Sequence, residues 1–149
     1  MRRLGLTAVL VGSLLAGGCG SSTPPGGDPG DKRLHALQSD PAVTATPPGA
    51  SDVSRESTKA HYRKPGFEAG GWDGPTVTVR FASSADADAV FRFYADRAEA
   101  SGWQETAKGA LGLADRWKKT FEGNAPATLF LAQVGPSRYQ LLGGIAPKG

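Results

Sequence analysis

Side chains able to do chemistry are sparse in this chain of 149 residues, and their spacing decides what each could do. The one thiol, Cys19, directly follows Leu15-Ala16-Gly17-Gly18. With no second cysteine it forms no internal disulfide, and what remains is its reactivity as a nucleophile. The two histidines, His35 and His61, stand outside any cluster of Cys, His, Asp and Glu with metal-ligand spacing. Both are read as polar surface residues, and no metal is expected. Asp86 and Asp88 invite comparison with an acid pair or a cation site. On a helix their side chains point about 200° apart, and a place at the positive end of the helix dipole explains both. In Arg116-Trp117-Lys118-Lys119, an extended backbone puts Arg116 and Lys118 on one face and Trp117 and Lys119 on the other. That pattern is read as a solvated sheet face with one buried ring behind it, in preference to a binder of anions. No G-x-S-x-G elbow occurs. The chain is read as a non-enzyme, with no catalytic residue and no cofactor assigned. Trp72, Trp103, Trp117, Phe93 and Tyr94 are either the core or the lining of a groove for an apolar or glycan ligand.

The segment that positions Cys19 has three parts. Arg2 and Arg3 open it, an apolar run from Leu4 to Ala16 follows, and the small residues Gly17 and Gly18 stand before the thiol. This is the layout of an export signal: charge held in the cytoplasm, a helix entering the bilayer, and a narrow site for cleavage. The run falls short of the roughly 20 apolar residues of a permanent span, so removal is expected. Leu15-Ala16-Gly17-Gly18-Cys19 resembles the lipobox of bacterial lipoprotein precursors, with Ala16 at the third position before the cysteine, where leucine is usual. The resemblance implies a diacylglyceryl group on the Cys19 thiol and cleavage on its amino side. It also implies a mature protein held by lipid on the extracytoplasmic face of the cell membrane. Two acyl chains meet the two-signal requirement for stable anchoring.

Taking residues 1–18 as signal leaves 131 residues, enough for one domain. The formal charge of +3 includes Arg2 and Arg3, so the mature chain carries +1, and nothing in it calls for nucleic acid. After Cys19, residues 20–31 are Gly, Ser, Thr, Pro and Asp with no large apolar residue, a composition that cannot offset its ordering entropy by burial, and 19–31 is taken as one segment. They are read as a tether holding the domain roughly 20 Å from the bilayer. Residues 32–149 form the globular domain.

Within it, Leu34 to Leu37 predicts a helical turn ended by Asp40-Pro41, and Pro47-Pro48-Gly49 a stiff bend. Val53 to Arg63 is read as an edge strand, and Gly66 to Pro75 as a loop pinned by Trp72. Thr76 to Phe81 alternates with Val77, Val79 and Phe81 on one face, the mark of a half-buried strand. Ser83 or Ser84 is expected to cap a helix, with Asp86 completing a capping box. The buried stripe of that helix would be Ala87, Val90, Phe91, Tyr94 and Ala98, and Gly102 would close it. Strands are then predicted at Trp103–Ala107, Asp115–Phe121, Ala127–Val134 and Arg138–Ile145, with turns at Lys108–Gly112, Glu122–Pro126 and Gly135-Pro136-Ser137. The fold class is α+β: one helix packed on an antiparallel sheet of about four to five strands, roughly β-α-β-β-β-β.

Asp40-Pro41, Pro47-Pro48-Gly49-Ala50, Gly71-Trp72, Phe93-Tyr94-Ala95, Gly102-Trp103 and Arg116-Trp117 together give residues 34–146 a likeness to uncharacterised small lipoproteins of actinobacteria. These are packing motifs, and they imply a fold without an activity. The function expected is that of a membrane-anchored interaction or accessory module, its partners the membrane through the lipid on Cys19 and an unidentified envelope protein or small ligand. The alternative is a carrier or sensor that holds a small apolar or envelope-derived ligand between helix and sheet.

Overall fold

The computed structural model describes residues 30–64, 70–109 and 113–147; residues 1–29, where an export signal, Cys19 and most of the tether were expected, lie outside the described residues. Helix α1 (Gly30–Gln38) runs nine residues and buries Leu34 and Leu37, three apart on one face. A second helix, α2 (Pro41–Thr44), begins where one ending was expected. Pro41 cannot continue α1 but is well suited to a first helical turn, and the buried Asp40 carboxylate caps that turn by accepting from the Ala42 amide at 2.9 Å.

The extended stretch beyond the Pro47-Pro48 bend is two strands, β1 (Ala50–Thr58) and β2 (His61–Arg63). The described part of the supposed loop after it, where Trp72 lies, contains a third strand, β3 (Gly71–Asp73), paired with β2 as a two-stranded hairpin. Residues 66–69 of that loop lie outside the described residues. Gly74 follows where the backbone passes Ile145: a Cβ there would collide with the Ile145 carbonyl oxygen, so a side chain has no room.

β4 (Thr76–Ser83) buries Val77, Val79 and Phe81 as its alternation predicts. Helix α3 (Ala87–Ala100) then starts three residues later than the expected capping box. Its N-cap is Asp86, whose side chain makes no cap hydrogen bond, while the buried Ser83 hydroxyl accepts from the Ala85 amide and closes a turn before the helix. The stripe of Val90, Phe91, Tyr94 and Ala98 is buried, with Ala87 partly so. At the other end Gly102 has φ +80°, its amide donates to the Glu99 carbonyl, and the Trp103 amide donates to Ala98. These two bonds form a Schellman cap, which needs the left-handed conformation that glycine adopts without strain.

The remaining strands are β5 (Gln104–Lys108), β6 (Ala114–Phe121), β7 (Ala125–Gly135) and β8 (Arg138–Ile145). Residues 110–112 of the β5–β6 connection lie outside the described residues. The turn between β7 and β8 is tight because Pro136 presets its backbone angle and Ser137 accepts φ +53° after it.

Six strands form one antiparallel sheet in the order β1-β4-β8-β7-β6-β5, one strand more than the upper expectation, with the β2–β3 hairpin apart from it. Single-helix cover was also an underestimate. α1 packs on β4 and β8, α3 on β5 and β7, and α2 bridges the two helices. All three cover the same face, because Leu37 lies against Gly143 and Leu129 while Tyr94 and Phe91 meet Phe81 and Tyr139. Phe81 stacks on Tyr139 with ring centres 5.3 Å apart.

Candidate functional site

Three places on this scaffold bear on function: a buried polar knot, the uncovered face of the sheet, and a cleft beside α3. The knot is centred on Asp40, 3% exposed. One carboxylate oxygen accepts from the Trp103 indole at 3.0 Å as well as from Ala42; the other takes the Lys119 ammonium at 2.7 Å. The same ammonium donates to the Ser101 carbonyl at 2.6 Å and lies over the Phe121 ring, 4.9 Å from its centre. The knot thus ties α2, the end of α3 and β6 together. Its chemistry is structural, since the three hydrogen bonds to the carboxylate and the two from the ammonium all go to groups of the fold itself.

The aromatic residues weighed as a groove lining divide between two roles. Tyr94, Trp103 and Trp117 are buried in the helix–sheet interface and occupy the space a ligand would need. Tyr94 also donates to the Ala45 carbonyl at 3.2 Å, and its burial pushes the phenol's pKa up, Arg55 pulling weakly the other way. Phe93 is half-buried, edge-on to Tyr94 and under the Arg97 guanidinium, and it borders a shallow groove with Pro47 and Pro48. Trp72 is half-buried against Tyr62 in the β2–β3 hairpin. The rings therefore do not converge on one site.

On the uncovered face, cross-strand registry aligns Glu56, Thr78, Leu142, Phe130 and Arg116 in one row across five strands. Leu142 is 37% exposed and Phe130 half-buried, with the Arg116 guanidinium 5.7 Å from the Phe130 ring centre. Lys118 and Arg80 flank the row, and Arg80 pairs with Glu56 at 2.8 Å. Arg116 and Lys118 do share this face while Trp117 and Lys119 share the other, as strand alternation requires. The apolar centre of the row, Phe130 and Leu142, comes from β7 and β8, which read in the sequence simply as hydrophobic strands. Only their registry reveals the row.

The cleft has a volume of about 470 Å³. α3 forms one wall through Asp88, Phe91, Arg92 and Ala95, and Lys108, Gly109 and Asp115 close the other side. Asp115 lies on the inner face of β6 and is only 8% exposed, yet its carboxylate accepts no hydrogen bond from any described residue. No described polar side-chain atom fully sealed from solvent lacks a partner, so the Asp115 carboxylate opens into the cleft. Burial raises its pKa above the ordinary carboxylate value, Glu105 raises it further, and Lys108 opposes both.

His35 is exposed, and His61 meets the Asp73 carboxylate at 3.3 Å on the surface of the hairpin. Among the described residues no three His, Cys, Asp or Glu side chains form a metal-binding group. Asp86 and Asp88 flank the start of α3, where the dipole reading placed them. No described helix is long and apolar enough to cross a membrane. No protein-family model, curated protein or solved structure matches the chain.

Proposed function

We propose that the chain is a lipoprotein precursor whose mature domain, held to the extracytoplasmic face of the cell membrane through lipid on Cys19, is a non-enzymatic interaction module. The anchor rests on the sequence: two arginines, an apolar run too short to span, small residues and the one thiol, in that order. The module rests on one structural observation. Three helices cover the inner face of the sheet, while the outer face leaves Leu142 and Phe130 at the centre of a row flanked by Arg116 and Thr78. An aromatic ring beside an arginine is a pairing that protein interfaces favour. The filled helix–sheet interface weighs against the carrier reading, which needs that volume for its ligand.

Two measurements on the protein in its own host test this. Cys19→Ala should move the protein from the membrane to the soluble fraction of the envelope; retention at the membrane would place the anchor elsewhere. A photo-crosslinking amino acid at position 142 should give a discrete adduct that the same probe at the exposed helix position 96 does not. Identical adducts from both positions, or none from either, would remove the outer face from the account.

A further inference from the structure

We infer that the outer face of the sheet packs on the same face of a second copy of this chain, about a two-fold axis that runs parallel to the strands. The inference rests on the reading of that face as the interaction surface and names its partner. It is carried by the order of charges along the central row, by the place where the chain enters the domain, and by the extent of the face.

The row is Glu56, Thr78, Leu142, Phe130 and Arg116, one residue from each of five neighbouring strands. An acid stands at one end and a base at the other, with Leu142 at the midpoint. A two-fold axis along the strands through Leu142 reverses the row of the second copy. Glu56 then meets Arg116 of the second copy at both ends, Thr78 meets Phe130, and Leu142 meets Leu142. Such a surface is self-complementary, as an isologous contact requires. An axis across the strands, along the row, instead sets each charge on its own copy, and that like-charge arrangement is selected against. The pair with Arg80 engages Oε1 of Glu56, and a carboxylate accepts at both oxygens. Neighbouring charges also tolerate the first axis. Lys118, one row away, comes over Thr58, and Arg80 over Ala132. Arg138, on the central strand, nears its own copy only at the rim, where Asp52 borders the same hollow.

Packed sheets keep their mean strand directions about 30° apart, and each end of the row stands about 10 Å from the axis, so the twist displaces it by about 5 Å. Glutamate and arginine side chains are long enough to span that offset. The same axis suits the anchor. Arg33, early in α1, donates to the Ala146 carbonyl at 3.0 Å, so the chain enters the domain at the end of the sheet where β8 finishes. An axis parallel to the strands keeps both entry points at that end, where two copies anchored in one membrane meet. The axis across the strands sends them to opposite ends. The face, five strands by about seven residues, offers roughly 550 Å² per copy, below the ~800 Å² of a standard interface. That size fits a weak contact strengthened by confinement to one membrane.

The test uses two epitope-tagged forms of the full chain produced together in the host, one of them with a photo-crosslinking amino acid at position 142. Illumination should give an adduct of twice the chain mass that carries both tags. Glu56→Arg in both forms sets base against base at each end of the row and should lower the yield about tenfold. Arg116→Glu in both forms sets acid against acid and should do the same. Glu56→Arg in one form with Arg116→Glu in the other should restore the yield, because each end again holds one acid and one base. That combination separates a contact from damage to the fold, since both substitutions are still present. Absence of a two-tag adduct, a yield that the reversals leave unchanged, or a loss that the combination does not relieve would overturn the inference. An adduct at position 142 with a different protein alone would overturn it and keep the outer face as the interaction surface. No adduct of any kind would overturn both.

Discussion

Asp40 and Asp115 are both acidic side chains in the folded interior, and their surroundings give them opposite consequences. Asp40 meets a lysine, an indole and an amide, so removing its cation leaves a buried charge uncompensated. Lys119→Ala is expected to cost about 3 kcal/mol in a denaturation experiment. Asp40→Asn should be milder than Asp40→Ala, because an amide oxygen can still cap α2. Asp115 accepts no hydrogen bond from a described residue, and burial raises its pKa on folding although Lys108 stands opposite it in register. The folded state then holds that proton more tightly than the unfolded chain does. The group's contribution is present in acid and lost as pH rises through the raised value. Asp115→Asn should therefore raise the melting temperature at neutral pH, the gain shrinking as pH falls through the raised value and vanishing below the ordinary carboxylate pKa. A constant difference across pH would mean the carboxylate is not the cause. Neither role was legible in the sequence. Asp40 precedes a proline and reads as a helix stop, and its bonds to Trp103 and Lys119 link residues 63 and 79 positions apart. Asp115 sits in a polar-looking start of a strand, and its burial depends on α3 lying over it.

At the scale of elements, periodicity was a good guide wherever one face of an element meets the core and the other meets water. β4 and the stripe of α3 follow that rule, and the Gly102 cap is where the glycine placed it. Tyr94 is the test of that stripe. It is 0% exposed, contacts Phe81 and donates to Ala45, so Tyr94→Ala should cost about 3 to 5 kcal/mol in chemical denaturation. A cost near that of an exposed substitution would detach α3 from the core. Periodicity failed where an element is exposed along its length or nearly so. β1 is exposed at almost every position because it is a sheet edge, so its nine residues carry no apolar alternation, and β2 and β3 are too short to show one. The start of α3 was misplaced for another reason. Ser83 and Asp86 satisfy a capping box by spacing, yet Ser83 still belongs to β4 and spends its hydroxyl on the turn between strand and helix.

The whole molecule, on the proposed reading, is a one-sided sheet on a leash. The helices seal its inner face, the outer face stays open, and the residues ahead of α1 would connect this body to lipid on Cys19. An anchor of that kind confines the domain to a layer near the bilayer, where even a weak contact gains from high effective concentration. That favours a module working by modest, repeated contacts over one that must capture a partner from dilute solution. The proposed export signal is read from composition and order alone, and it lies outside the described residues. The outer face was the least legible, since a row across five strands exists only once registry is fixed. The central claim is the anchor, and mass spectrometry of the protein extracted gently from its host's membranes tests it most directly. The account predicts a chain that begins at Cys19 and carries a diacylglyceryl group on that residue. A chain that keeps residues 1–18, or one cut elsewhere with a free Cys19 thiol, would contradict it.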